Sequence, residues 1–238
     1  MMDTLRVGFH RRTRWRAGVL STLLILLSCP PVWAASEQQN WLAFATNGPM
    51  GSSDHLRFWF DGHARFRDES SSLGVSILRP AIGWQLQSGL TLWAGYARVV
   101  ARRSGPDAEE NRFWQQATYP VGEVFGGRLG GRTRIEQRLF EGFDDTGHRI
   151  RQFWRWSRPI GQSDWSWMVA NETFINIDDS DFGQRAGYQQ NRLYLGFAWQ
   201  AAPELRLEVS YLNNHIDRVG ADDLDNHNVY LGLLYLPR

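Results

Sequence analysis

The sequence predicts an all-β protein, an antiparallel up-and-down transmembrane β-barrel of 10 to 12 strands. Three observations lead there. Segments of roughly ten residues alternate apolar and polar side chains with period 2. The connections between them sort by length, short turns against long polar loops. The only long apolar run lies near the N-terminus behind a set of arginines, and no later stretch approaches the roughly 20 apolar residues of a membrane helix.

Arg6, Arg11, Arg12, Arg14 and Arg16 make a basic region, and Ala17 to Leu27 an apolar one. Pro30 and Pro31 break the run, and Val32-Trp33-Ala34 supplies a small residue before Ala35. This is the pattern of an export signal. It predicts a signal peptide over 1–34 and a barrel domain over 35–238. The run is short for a membrane span, which argues against an uncut anchor. Leu26-Leu27-Ser28-Cys29 resembles a lipoprotein box, an alternative in which Cys29 is lipidated. Cys29 is the sole cysteine. If it leaves with the leader, the mature chain has no thiol, disulfide or Cys-based metal site.

After Ser36 the strands follow in order. Leu56, Phe58, Phe60, Gly62, Ala64 and Phe66 share one face; Arg57, Trp59, Asp61, His63, Arg65 and Arg67 share the other. No helical period separates these two sets. Leu78, Pro80, Ile82 and Trp84 oppose Arg79, Ala81 and Gly83. Thr133, Ile135, Gln137 and Leu139 oppose Arg134, Glu136 and Arg138. Ile150, Trp154 and Trp156 oppose Arg151, Phe153 and Arg155. Leu193, Leu195 and Phe197 oppose Arg192, Tyr194 and Gly196. Leu205, Leu207 and Val209 oppose Arg206, Glu208 and Ser210, and Val229, Leu231 and Leu233 oppose Asn228, Tyr230 and Gly232. The segments 90–100, 111–119 and 165–176 alternate less cleanly. Ten strands run from Leu56 to Leu236, and Trp41 to Thr46 is a possible eleventh with no evident partner.

Gln87-Ser88-Gly89, the turn at Gly161 and Ala201-Ala202-Pro203 are short, whereas 101–110, 141–148, 177–188 and 216–226 are longer and polar. A lipocalin-type soluble barrel is the closest rival, and it would turn its apolar face inward. With 26 basic and 25 acidic residues, all the basic ones Arg, there is no bulk attraction to nucleic acid. The 12 Trp suit interfacial girdles or a large core.

Arg134-Ile135-Glu136-Gln137-Arg138-Leu139-Phe140, Asn171-Glu172-Thr173-Phe174, Gln190-Asn191-Arg192-Leu193 and Leu207-Glu208-Val209-Ser210-Tyr211-Leu212 carry a resemblance. Arg79-Pro80-Ala81-Ile82-Gly83 and Asn226 add to it. The chain resembles the domain-of-unknown-function 2490 family of bacterial outer-membrane barrels. The resemblance implies a barrel and a signal peptide, and no reaction.

If the apolar faces meet lipid, the interior holds Arg57, Asp61, Arg65, Arg79, Arg134, Glu136, Arg138, Arg151, Arg155, Glu172, Arg192, Arg206 and Glu208. Buried charges need partners, so an Arg–carboxylate network filling the lumen is one expectation. Passage of a small solute or anion is the functional one. The alternative is a lipid-modifying enzyme of acyl hydrolase or acyltransferase type, with His63 beside Asp61 and Ser76 or Ser210 recruited. No motif selects a serine, so no catalytic residue is expected. The Asp178-Asp179 and Asp222-Asp223 pairs offer oxygen ligands to a divalent cation, but such acidic loops are usually solvated, and no metal or cofactor is expected. The expected location is the bacterial outer membrane. The expected partners are its lipid, lipopolysaccharide and the barrel assembly machinery, not nucleic acid.

Overall fold

The computed structural model describes residues 38–67 and 71–237; the expected signal peptide over 1–34 and Cys29 lie outside them. Eleven strands follow one another: β1 (Gln38–Pro49), β2 (Leu56–Arg67), β3 (Ser72–Gln85), β4 (Thr91–Ala101), β5 (Ala108–Val124), β6 (Gly127–Phe140), β7 (Thr146–Pro159), β8 (Trp165–Asn176), β9 (Gly187–Ala202), β10 (Leu205–Ile216) and β11 (Leu224–Tyr235). They close into one barrel. Every neighbouring pair is antiparallel except the seam, where β1 runs parallel to β11 from Gln38↔His227 to Thr46↔Tyr235. On its other side β1 pairs antiparallel with β2, Trp41 facing Arg65.

The segment without an evident partner is therefore the closing strand. Single-chain bacterial barrels normally hold an even number of strands, all antiparallel. Here the odd strand forces one parallel pair, a pairing slightly weaker per residue. In return no strand edge is left unpaired, which a sheet in lipid requires.

The shortest connections, 125–126 and 203–204, lie at the end where β11 finishes, here called the turn end; the longest, 177–186 and 217–223, lie at the other, the loop end. The hairpin at 125–126 was hidden in the sequence. Phe125 and Gly126 both have positive φ, 51° and 70°, as a two-residue hairpin turn of this twist demands.

On most strands the apolar side faces outward. Leu42, Phe44, Phe60, Leu78, Ile82, Leu92, Ile135, Val169, Leu195, Val209, Val229 and Leu231 are all exposed. Trp84, Trp165, Trp167, Trp199 and Tyr235 surround the turn end, while Phe143, Tyr188 and Tyr211 stand toward the loop end. This inverts the polarity of a lipocalin-type barrel. Outward amides and hydroxyls on β5 to β9 satisfy one another across strands. Thr133 donates to Gln152 (2.7 Å), Asn171 to Asn191 (2.8 Å), and Gln115 to Gln137 (3.2 Å).

One sector of the interior is apolar. Trp93, Ala97 and Trp114 are buried together, with Trp59 and Ala81 against them. Gly83 and Gly95 make the room: a Cβ on either would lie 2.4 Å from the ring of Trp93 or Trp114 respectively.

Candidate functional site: an arginine-rich lumen

The pleat of a strand sends alternate side chains to one face. On β6 that face carries Arg132, Arg134, Glu136 and Arg138; on β7, Arg149, Arg151 and Arg155; on β8, Glu172. Closure turns these rows toward one another. Among the described residues, Arg65, Arg79, Arg112, Arg132, Arg134, Arg138, Arg149, Arg151, Arg155, Arg192 and Arg206 then face the lumen, with the carboxylates Asp61, Glu110, Glu136, Glu172 and Glu208.

The carboxylates act as hubs. Glu136, fully buried, accepts from Arg151 at 2.6 Å and Arg149 at 2.5 Å, with Arg134 at 3.6 Å. Glu172 accepts from Arg132 at 2.6 Å and Arg151 at 2.7 Å, with Arg192 at 3.6 Å. Arg151 thus bridges both hubs. Glu110 holds Arg112 in a two-point contact, at 2.6 and 2.7 Å, and Arg138 at 2.7 Å. Glu208 holds Arg155 and Arg206. Asp61 accepts from Arg79 at 2.6 Å and from Trp59 at 3.0 Å. The paired fork geometry of guanidinium suits such shared carboxylates.

Aromatic faces carry part of the remaining positive charge. Arg151 and Arg192 stand 4.6 and 4.4 Å from the centre of the Phe174 ring. Arg134 lies 4.1 Å over Trp114, and Arg65 lies 3.9 Å over Trp41. Cation–π contacts of this kind strengthen where water is excluded.

Arg57 stays half-buried and makes no ion pair among the described residues. Glu110, Arg112, Arg132 and Arg149 join the network although sequence reasoning passed over them. Arg132 and Arg149 extend the period-2 rows on their own strands by one step, a signal that placing each strand's start one residue earlier recovers. Glu110 and Arg112 sit on β5, whose outer face also carries Asn111 and Gln115, so the alternation is blurred.

His63 accepts from Arg79 at 2.7 Å and lies 3.8 Å from Asp61, but it meets no serine among the described residues. Ser76 shares the outward face of Leu78, and Ser210 is inward on β10.

The loop end is capped by 177–186. Phe182 packs against Phe140 with ring centres 4.6 Å apart and tilted by 37°, and Gln184 accepts from Arg138 at 3.0 Å. Asp178 holds this cap by accepting from the His148 amide (2.8 Å) and Gln184 (2.8 Å), and Asp179 accepts from the Ala186 amide (2.8 Å) and Arg185 (3.2 Å). Slight desolvation pulls Asp178 up, but the hydrogen bonds from His148 outweigh it; the Ala186 amide holds Asp179 down. Both carboxyls lie below their ordinary 3.8. A depressed carboxyl stabilises above its unfolded pKa, and that contribution is lost as pH falls through the folded value. Amide exchange across 178–186, corrected for intrinsic rate, is expected to accelerate below about pH 4 while strand amides stay protected. Unchanged loop protection at pH 3 would contradict this.

Toward the turn end the lumen opens into a cavity of about 310 Å³, walled by Trp41, Ala43, Trp59, Arg65, Phe153, Met168, Tyr194 and Tyr230 among others. Arg155 and Arg206 at its rim keep 23% and 29% of their side-chain surface exposed, so it is reached from that end.

Over 168 residues the chain is 32% identical to a protein of Methylorubrum extorquens described as uncharacterized, a match covering 69% of this chain and 73% of that one. Residues 38–225 match the family described as Protein of unknown function (DUF2490). That match runs from β1 into β11 and takes in every hub carboxylate of the lumen, and the chain belongs to this family.

Proposed function

We propose that this protein is an exported outer-membrane barrel with a transport-like role, handling small anionic solutes in its lumen. The observation that carries the reading is the polarity of the wall: apolar and aromatic side chains outside, arginines in excess of carboxylates inside. A lipid-facing belt between aromatic girdles is what the hydrocarbon and its interfaces favour. An interior with surplus guanidinium draws anions and repels cations. Outer-membrane lipid and lipopolysaccharide are then the partners of the outer face, and the barrel assembly machinery inserts it. Solute reaches the cavity from the turn end. Through-passage requires the 177–186 cap to move aside, so conductance is small and intermittent.

Two measurements test this. Membrane fractionation is expected to recover the protein with the outer membrane, and recovery in the soluble periplasm overturns the placement. Folded protein in a planar bilayer under a KCl gradient is expected to give brief openings with an anion-selective reversal potential. Cation selectivity, or complete silence, removes the passage role and leaves the placement intact.

A further inference from the structure

We infer that the lumenal cavity is a binding site for a small organic carboxylate, its charged end seated on His63, Arg65 and Arg132. The inference rests on the reading of the lumen as an anion-handling compartment and names the ligand class it takes.

Three residues that line the cavity each carry a buried side-chain nitrogen without a hydrogen-bond partner: Nδ1 of His63, Nε of Arg65 and Nε of Arg132. The histidine tautomer follows from chemistry. Arg79 can only donate, so Nε2 of His63 accepts its hydrogen bond and the ring proton sits on Nδ1. Nδ1–H is therefore a donor, as are both arginine groups. His63 and Arg65 stand two residues apart on β2, so both side chains leave the same face of the strand.

The charges point the same way. Arg65 forms no ion pair among the described residues; its guanidinium lies on Trp41, 3.9 Å from the ring centre. Arg192 lies over the same ring at 4.9 Å. Two like charges flank one indole; Arg192 has Glu172 at 3.6 Å, and that carboxylate is already shared with Arg132 and Arg151. A single anion beside Arg65 supplies the carboxylate this pair of arginines lacks and relieves the repulsion.

The rest of the cavity says what the anion carries. About 310 Å³ is far more than an inorganic oxyanion needs and falls at the small end of organic ligand sites. Phe153, Met168, Ala170 and Tyr194 line it beside the donors. This wall favours an apolar or aromatic body attached to the carboxylate.

Trp41 and Trp59 lie in the wall, so tryptophan fluorescence of the folded protein in detergent reports occupancy, with calorimetry as the independent measure. Benzoate is the probe, benzamide its uncharged counterpart of the same shape, and inorganic phosphate the test of a bare oxyanion. Saturable benzoate binding is expected, with benzamide and phosphate each weaker by about tenfold or more, the change expected when charge-assisted hydrogen bonds or apolar burial are lost. Arg65→Gln is expected to cost a similar factor while the folded band on unheated gels is kept. If that variant does not fold, Ala43→Phe, which fills the cavity from β1, is expected to abolish binding. No saturable benzoate binding, or benzamide binding as tightly, overturns the inference. Phosphate binding as tightly as benzoate overturns the organic ligand class. Binding in detergent does not depend on conductance or fractionation, so its failure is distinguishable from failure of the transport reading.

Discussion

Glu136→Ala is expected to lower the barrel's stability by about 3–5 kcal/mol, the range for removing one partner of a buried ion pair. Glu136 has no exposed surface and neutralises Arg149 and Arg151, with Arg134 at 3.6 Å. Its loss leaves Arg149 and Arg134 buried without a carboxylate among the described residues, while Arg151 keeps Glu172. Glu136→Gln keeps the volume and one acceptor oxygen, and should cost less than the alanine. Equilibrium unfolding in urea, from phospholipid vesicles, measures this as a shift of midpoint. Glu141→Ala removes a carboxylate that also pairs with an arginine, Arg98, at 2.8 Å, but keeps 56% of its side-chain surface exposed. That change is expected to cost no more than about 1 kcal/mol. If both variants unfold at the wild-type midpoint, the lumenal charges are solvated and the network does not hold the wall.

Leu231→Arg is the second large effect, expected at about 2–4 kcal/mol in vesicles, the cost of an arginine facing the bilayer midplane. Leu231 points outward with 45% exposure, between Leu42 on β1 and Val209 on β10. It lies between the tryptophans of the turn end and Tyr188 and Tyr211 toward the loop end. Val219→Arg, in the 217–223 loop and 75% exposed, is the matched control and should change stability by about 0.5 kcal/mol or less. The pair separates lipid from water around the barrel. In water, a cation at either site is harmless. Equal stabilities for the two variants would remove the membrane reading, whatever the lumen binds.

Where both faces of a strand differ in polarity, as on β2, β3, β6, β7, β9, β10 and β11, the strand could be read from residues alone. β4 was placed at 90–100 but its faces were not separable, because its inward residues Trp93, Ala97 and Val99 are as apolar as its outward ones. The far half of β5 was hidden by Pro120 and Gly122, which look like breakers; a register shift between them lets the strand continue. β1 shows its own two faces, Trp41, Ala43 and Ala45 against Leu42 and Phe44. Its place in the barrel was not legible, because its partner on one side lies at the far end of the chain and runs parallel to it. The resemblance carried by the Arg134–Phe140 and Asn171–Phe174 segments agrees with the family match over 38–225.

The candidate site divides along the same line. Which residues share a face is decided by the pleat, a local property of period 2, so the arginine and glutamate rows follow from the chain itself. Which arginine meets which carboxylate depends on curvature and closure. Arg132 reaches Glu172 and Arg155 reaches Glu208, both across forty or more positions of sequence. The cap over the loop end and the unpartnered donors of the cavity belong to that second kind. The sequence by itself determined that this chain is a barrel of strands with one charged and one apolar face. Only the tertiary structure decided that β1 closes it, that 177–186 covers one end, and that His63, Arg65 and Arg132 are left with hydrogens to give, because partner choice across a lumen is set by where distant strands curve to meet.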